Sequence, residues 1–288
     1  MKRRKFLRSA AGLLVPLSFP FIAKGQFTFT DGPYLAASAP DANANLLTGL
    51  QLALGPGHPG GGTCSGNWGV DYSVNNFGVV CCNTAVTDAT GPGNVGTTGA
   101  YVGAAWIARK EGRLYLLDDA KLKFGSHQSG TISIWVNLQD NLNNTLNSPF
   151  YAKWGATNEF FLGIGGTPGQ AIWLCVPAGG GGNVTLNVGS GFALNTWYHV
   201  VVGYDDSSGM LFQQVNAGTR TTAAITNGIA AGTNQPTVFS YSPNPDSTCP
   251  NSLPADANEG QLCFWQRVLS TAEVTQLFNG GNGLSLPF

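Results

Sequence analysis

From Leu46 onward the chain is written in short apolar runs, each closed by glycine, proline, asparagine or aspartate. That punctuation is the mark of antiparallel strands joined by tight turns. The clearest run is Thr131 to Leu138, where Ile132, Ile134, Val136 and Leu138 alternate with Thr131, Ser133, Trp135 and Asn137. Successive side chains on a strand point to opposite faces, so one set is expected in a core and the other away from it. Leu46 to Leu54, Glu159 to Ile164, Ala171 to Val176 and Trp197 to Tyr204 read as further strands. The stretch Asp205-Asp206-Ser207-Ser208-Gly209 predicts a hairpin returning through Leu211 to Asn216. Gly55–Gly62 and Gly179–Gly182 are glycine loops without phosphate-binding spacing. Near the end, Leu262, Phe264 and Trp265 give strand character, and Ser270 followed by Glu273 predicts a capped helix stopped by Gly280 and Gly281. The expected architecture is all-β: an antiparallel two-sheet β-sandwich with one short C-terminal helix.

The first 25 residues read as a targeting segment. Lys2, Arg3, Arg4, Lys5 and Arg8 precede an apolar run from Ala10 to Ala23 and a cleavage-like Ala23-Lys24-Gly25. The order Arg3-Arg4-Lys5-Phe6-Leu7 is similar to the bacterial twin-arginine export signal, and an ordinary secretory signal is the alternative. Pro16 and Pro20 interrupt the run, which is too short for a comfortable membrane span. Either route predicts an exported bacterial protein that is periplasmic, cell-surface or secreted. Residues 26–45 form a polar lead-in, and 46–288 a single sandwich domain.

Charge narrows the partners. Six of the 14 Lys+Arg lie in residues 1–25, leaving eight basic against 15 acidic residues, a balance of −7. No basic patch survives, which argues against nucleic acid and anionic membranes as partners. The six cysteines, Cys64, Cys81, Cys82, Cys175, Cys249 and Cys263, form no CxxC pair and have no histidine at zinc-ligand spacing. In an exported chain disulfides are the default. Cys64 with Cys81 or Cys82, and Cys249 with Cys263, are the expected bridges.

Several segments in order carry a resemblance. Thr131-Ile132-Ser133-Ile134-Trp135-Val136, Lys153-Trp154 followed by Asn158-Glu159-Phe160, Asn195-Thr196-Trp197-Tyr198-His199-Val200-Val201, and Leu269-Ser270-Thr271-Ala272-Glu273 are spread from about Leu46 to Gly283. Together they resemble laminin-G-like domains of the concanavalin A-like lectin/glucanase superfamily. The resemblance implies a jelly-roll sandwich and a carbohydrate-binding or adhesive role, with a glycan, polysaccharide or envelope protein as partner. A structural or protein-interaction component of the envelope is the second reading. The family usually has an acidic pair before its final strand, where this chain has Gly260-Gln261. That departure weakens any acidic or calcium role there.

The superfamily also contains glycanases, which need two carboxyls flanking the scissile bond. No Glu-x-Asp occurs, and Glu111, Glu159, Glu259 and Glu273 stand in four different contexts. There is no Gly-x-Ser-x-Gly elbow either. His199, inside a strand, reads as structural. The expectation is a protein that is not an enzyme and has no cofactor. For sugar binding, an indole face plus amides and carboxylates is the useful chemistry. Trp135, Trp154, Asn158, Glu159 and Trp173 are the candidates. By parity Trp135 and Trp173 oppose the aliphatic residues of their strands, so they face outward if the aliphatics fill the core. The cost of leaving an indole in water favours packing under the C-terminal helix or a long loop. Asp205 and Asp206 could bind calcium, but a polar hairpin turn explains them more simply.

Overall fold

The computed structural model describes residues 43–56, 69–82, 86–90, 96–97, 104–108, 113–125, 127–139, 148–155, 157–165, 170–189, 191–238, 257–286 and 288. The targeting segment, most of the lead-in, Cys64 and Cys249 lie outside these residues. Helix α1 (Ala44–Leu47) precedes β1 (Leu50–Pro56), β2 (Gly69–Asp71), β3 (Val79–Cys82), β4 (Val86–Thr90), β5 (Gly96–Thr97), β6 (Ala104–Ala108) and β7 (Arg113–Leu116). The middle of the chain gives β8 (Gly130–Leu138), β9 (Ser148–Lys153), β10 (Phe160–Ile164), β11 (Ala171–Cys175), β12 (Val184–Gly189), β13 (Trp197–Asp205), β14 (Met210–Val215), β15 (Thr221–Ala224) and β16 (Thr237–Val238). It closes with β17 (Ala257–Trp265), α2 (Thr271–Phe278) and β18 (Ser285–Leu286). The expected first strand is corrected at its start: Ala44–Leu47 is a helical turn, and the strand begins at Leu50.

Two antiparallel sheets form the sandwich. The first runs β15-β14-β13-β8-β17-β1-β2, with β6 also on β17 and β4 on β6; the second runs β12-β11-β10-β9-β16-β7-β3. The expected aliphatic set of β8 does fill the space between them, beside Leu52, Leu54, Leu262 and Phe264 from the first sheet. Phe160, Leu162, Ile164 and Trp173 face them from the second. The β13–β14 hairpin forms as read, with Gly209 taking the left-handed φ of 64° that closes the turn.

Two extra residues shift the alternation. Glu259 pairs with Val136 and Leu262 with Ile134, so β17 carries one more residue than β8 across Gly260-Gln261. A β-bulge of this kind lets residues on both sides of it face the same way. In β9 a similar irregularity puts both Phe150 and Tyr151 in the core.

Helix α2 and α1 close the outer face of the first sheet. Val274 and Leu277 of α2 pack with Leu46, Leu50, Val201, Cys263, Trp265 and Leu269. The Trp265 indole N–H donates to the Leu46 carbonyl at 2.7 Å, tying the two ends of the unit together. The expected capping box forms: Ser270 Oγ accepts from Glu273 N, and the Glu273 carboxylate accepts from Ser270 N at 2.8 Å. The stop differs slightly, because Asn279 rather than a glycine takes the first left-handed position (φ 46°), followed by Gly280 and Gly281. Among the described residues no helix is long and apolar enough to cross a membrane.

Candidate functional site

The five sugar-site candidates do not converge. Trp135 lies on the outer face of the first sheet but is 2 % exposed, stacked on His199 (4.9 Å) and on Phe278 of α2 (5.9 Å). It therefore packs under the C-terminal helix, the placement its desolvation favours. Trp173 is in the core, tilted against Phe124 (5.6 Å) and Phe160 (5.4 Å). This corrects the outward reading of Trp173: the parity holds, but in β11 Ile172 and Leu174 are the outward pair. An indole fills the wide space between sheets better than branched aliphatics do, and its body is apolar enough to belong there.

Glu159 is closed to any ligand. It is fully buried beside the equally buried Lys153, with Oε2 3.2 Å from Nζ. Its two oxygens accept from Phe124 N (2.8 Å) and Gly232 N (3.1 Å). Lys153 Nζ also reaches Asp118 at 2.7 Å, and Asp118 pairs with Lys123 at 2.8 Å. Burial pushes the Glu159 carboxyl up, with Lys153 and the two N–H donors pulling against it. For Asp118, burial raises the carboxyl, but Lys123 and Lys153 outweigh it and hold it below the usual carboxylate range. Two cations and two carboxylates thus fasten β9 and β10 to the segment after β7.

Trp154 and Asn158 remain near one another at the β9–β10 turn. The half-buried Trp154 indole stands edge-on to Phe161 (6.3 Å), on an outward cluster with Ala152, Ile172 and Leu174. Asn158 Oδ1 accepts from Gly155 N at 2.7 Å and so shapes the turn. Thr157 and Thr233, both exposed, join their hydroxyls at 2.9 Å. The Asn234 amide donates to the Thr157 carbonyl at 2.6 Å. The β9–β10 turn thus brings a half-buried indole and, three residues further on, an exposed pair of hydroxyls to one end of the second sheet. Reading Phe160-Phe161 by parity could not have found it, since both positions are aromatic.

Other polar groups have structural duties. Asp205 accepts from Ser207 N (3.0 Å), Ser207 Oγ (2.7 Å) and Ser208 Oγ (2.8 Å). Asp206 accepts from the Tyr204 hydroxyl at 2.8 Å, so the acidic pair serves the hairpin turn. Asp71 is likewise consumed, accepting from Ala53, Ser73 and Phe77 amides. His199 is fully buried, with Nε2 2.8 Å from Ser133 Oγ and Nδ1 without a partner. Burial lowers its imidazole to about 3, which leaves it neutral. Glu259 faces the core with both oxygens unpartnered, and burial pushes its carboxyl well above the usual range. Cys263 corrects one expected bridge: it is a free thiol, 2 % exposed, in a central strand under α2. Cys175 is also free and buried. Among the described residues no three of His, Cys, Asp or Glu converge as a metal site.

A family model described as the concanavalin A-like lectin/glucanases superfamily matches residues 110–275. No curated protein matches the sequence. Among solved structures, the binding domain of Paraclostridial Mosquitocidal Protein 1 aligns with a TM-score of 0.60 at 14 % identity, over 81 % of this chain and 52 % of that one. The binding domain of botulinum neurotoxin DC, in complex with rat synaptotagmin II, gives 0.54 at 13 %, over 80 % and 51 %. A botulinum neurotoxin type C structure, whose toxin's cell entry depends on interaction with two ganglioside molecules, gives 0.55 at 13 %, over 82 % and 52 %. At these identities the likeness is one of fold. The chain spans about half the length of those structures.

Proposed function

Because the chain belongs to the concanavalin A-like lectin/glucanases superfamily, we propose that it is an exported, non-catalytic binding module whose ligand is a glycan. The observation that carries this reading is the half-buried Trp154 indole, edge-on to Phe161, at the same β9–β10 turn that exposes the paired Thr157 and Thr233 hydroxyls. An indole beside hydroxyl groups suits a sugar ring, which has an apolar face and a hydroxylated edge. The same end has no pair of free carboxyls among the described residues. Glu159 is paired inside the core, Glu259 is enclosed there, and Glu273 caps a helix. Glycoside hydrolysis asks for two such groups at a cleft, so binding without turnover fits better. Export rests on the basic, then apolar, first 25 residues.

The similar structures include one captured with synaptotagmin II and one from a toxin that uses gangliosides, so both protein and glycan ligands occur on this fold. A protein partner is favoured by one feature, the half-buried Leu174 that shares the outward apolar cluster with Trp154. Purified protein lacking residues 1–25 should be tested on a glycan and polysaccharide panel, beside Trp154→Ala. The expected result is saturable binding weakened by about 30-fold or more in the variant, the effect of losing a central indole, with an unchanged melting temperature. A chelator should leave binding intact, since Asp205 and Asp206 are engaged in their turn. Absence of glycan binding, or binding indifferent to Trp154, would move the assignment to a protein partner.

A further inference from the structure

We propose that helix α2 is an acid-released cap, with His199 beneath it as the trigger. The imidazole sits on the outer face of the first sheet and is fully buried. It is flanked by Trp135 at 4.9 Å and by Phe278, the last residue of α2, at 6.2 Å. Its Nε2 meets Ser133 Oγ at 2.8 Å, while Nδ1 meets nothing. A charged imidazole carries two N–H donors, and Nδ1 has no acceptor in place. Gln214, diagonal to it on β14, also has an unpartnered buried Oε1.

Among the described residues no counter-charge waits beside His199 on this face. From β8 the neighbours are Ser133 and Trp135, neither of which titrates in this range, and from β13 Val201. From β14 and the turn after it come Gln214 and Arg220; the latter is a cation stacked over Phe212 at 4.5 Å. From β17 comes Cys263, whose thiol burial pushes up and holds neutral. From α2 the charged residue is Glu273, turned away to Arg267 at 2.7 Å. Burial alone lowers the imidazole, to about 3 from 6.5.

The cap can leave without breaking a ladder of the two large sheets; the two-residue pairing of β18 with β5 follows it in the chain. α2 has eight residues, follows the central strand β17, and presses on the sheet through Val274, Leu277 and Phe278. Opening it hydrates His199 and restores its ordinary affinity for a proton. A group that binds protons better in the open form drives opening as pH falls. The open population therefore grows about tenfold per pH unit below 6.5 until the closed-state value is approached. Glu273, held down to about 2 first by Arg267, keeps the capping box charged through pH 5. The window between pH 6.5 and 5 thus belongs to His199.

Hydrogen exchange of the folded protein, corrected for intrinsic rates, tests this between pH 7.5 and 5. Expected is a loss of protection in α2 of about tenfold per unit below pH 6.5, with β8 and β13 unmoved and the slope absent in His199→Gln. A flat α2 profile, the same slope in His199→Gln, or α2 and sheet opening together would each overturn it. The His199 imidazole resonance of the unaltered protein gives a second readout should the variant not fold. An imidazole that takes up its proton only where α2 amides also lose protection supports the cap, and proton uptake with α2 protection unchanged, or α2 protection unchanged from pH 7.5 to 5, refutes it.

Discussion

Two buried carboxyls in this molecule are handled in opposite ways. Glu159 has Lys153 and two backbone donors; Glu259 has no partner at all. Removing one member of a buried pair strands the other, so Lys153→Met should destabilise by about 3–5 kcal/mol. Denaturant titration should show Lys153→Met/Glu159→Gln recovering part of that loss; purely additive costs would argue that the two do not interact. For Glu259 the sign reverses. Its folded carboxyl is raised above 4.5 by burial, so the folded state binds the proton more tightly than the unfolded chain. The resulting stability is present below about pH 4.5 and is lost as pH rises toward the folded value. Glu259→Gln should therefore gain on the unaltered protein as pH increases from about 5 to 9, read as melting temperature against pH. A constant offset across that range would show that Glu259 does not titrate in folding.

At the scale of elements, α2 depends on its first turn and the first sheet on one glycine. Ser270 satisfies the Glu273 amide while Glu273 satisfies that of Ser270 and pairs with Arg267. Ser270→Ala should cost about 1 kcal/mol, a fall in melting temperature of about 2–4 °C for a domain of this size. In β13, a Cβ on Gly203 would stand 2.2 Å from the Gly130 carbonyl and 2.4 Å from the Phe212 ring. Backbone on the neighbouring strand cannot yield as a side chain can. Gly203→Ala should therefore cost at least about 3 kcal/mol, and a melting temperature close to that of the unaltered protein would contradict the tight β13–β8 approach. The β17 bulge is the third device: it falls at Gly260-Gln261 and turns Glu259 inward beside Val136.

The whole molecule is closed by its last long strand. β17 lies between β8 on one side and β1 with β6 on the other, so Leu50 pairs with Trp265 and Leu262 with both Leu54 and Ile134. Contacts this distant in sequence must wait for nearly the entire chain, which makes folding slow and strongly cooperative. A chain ending at residue 256 should lack a cooperative urea transition, because its first sheet would be split through the middle. One ending at residue 270 should keep the ladders of the two large sheets but expose the Trp135 and Trp265 faces, seen as red-shifted tryptophan emission. A sharp transition in the shorter chain would show that the halves fold without β17.

Alternation and turn residues were enough to read the two-sheet sandwich, the β8 core set, the β13–β14 hairpin and the capped helix, because each depends on spacing within one segment. Local pattern also indicated that Trp135 belongs under a cover, since an indole opposite a core-facing aliphatic set must be shielded from water. Spacing carries no information about which sheet face lies inward, and so alternation alone puts Trp173 outward and Ile172 inward, the reverse of their places in the fold. It cannot register a bulge that only the partner strand defines, as at Glu259. Nor can it show that Lys153 closes upon Glu159 while Trp154, next in the chain, turns outward. Those choices are made when two sheets meet: the volume available between them selects the indole, and the need to pair buried charge selects the lysine.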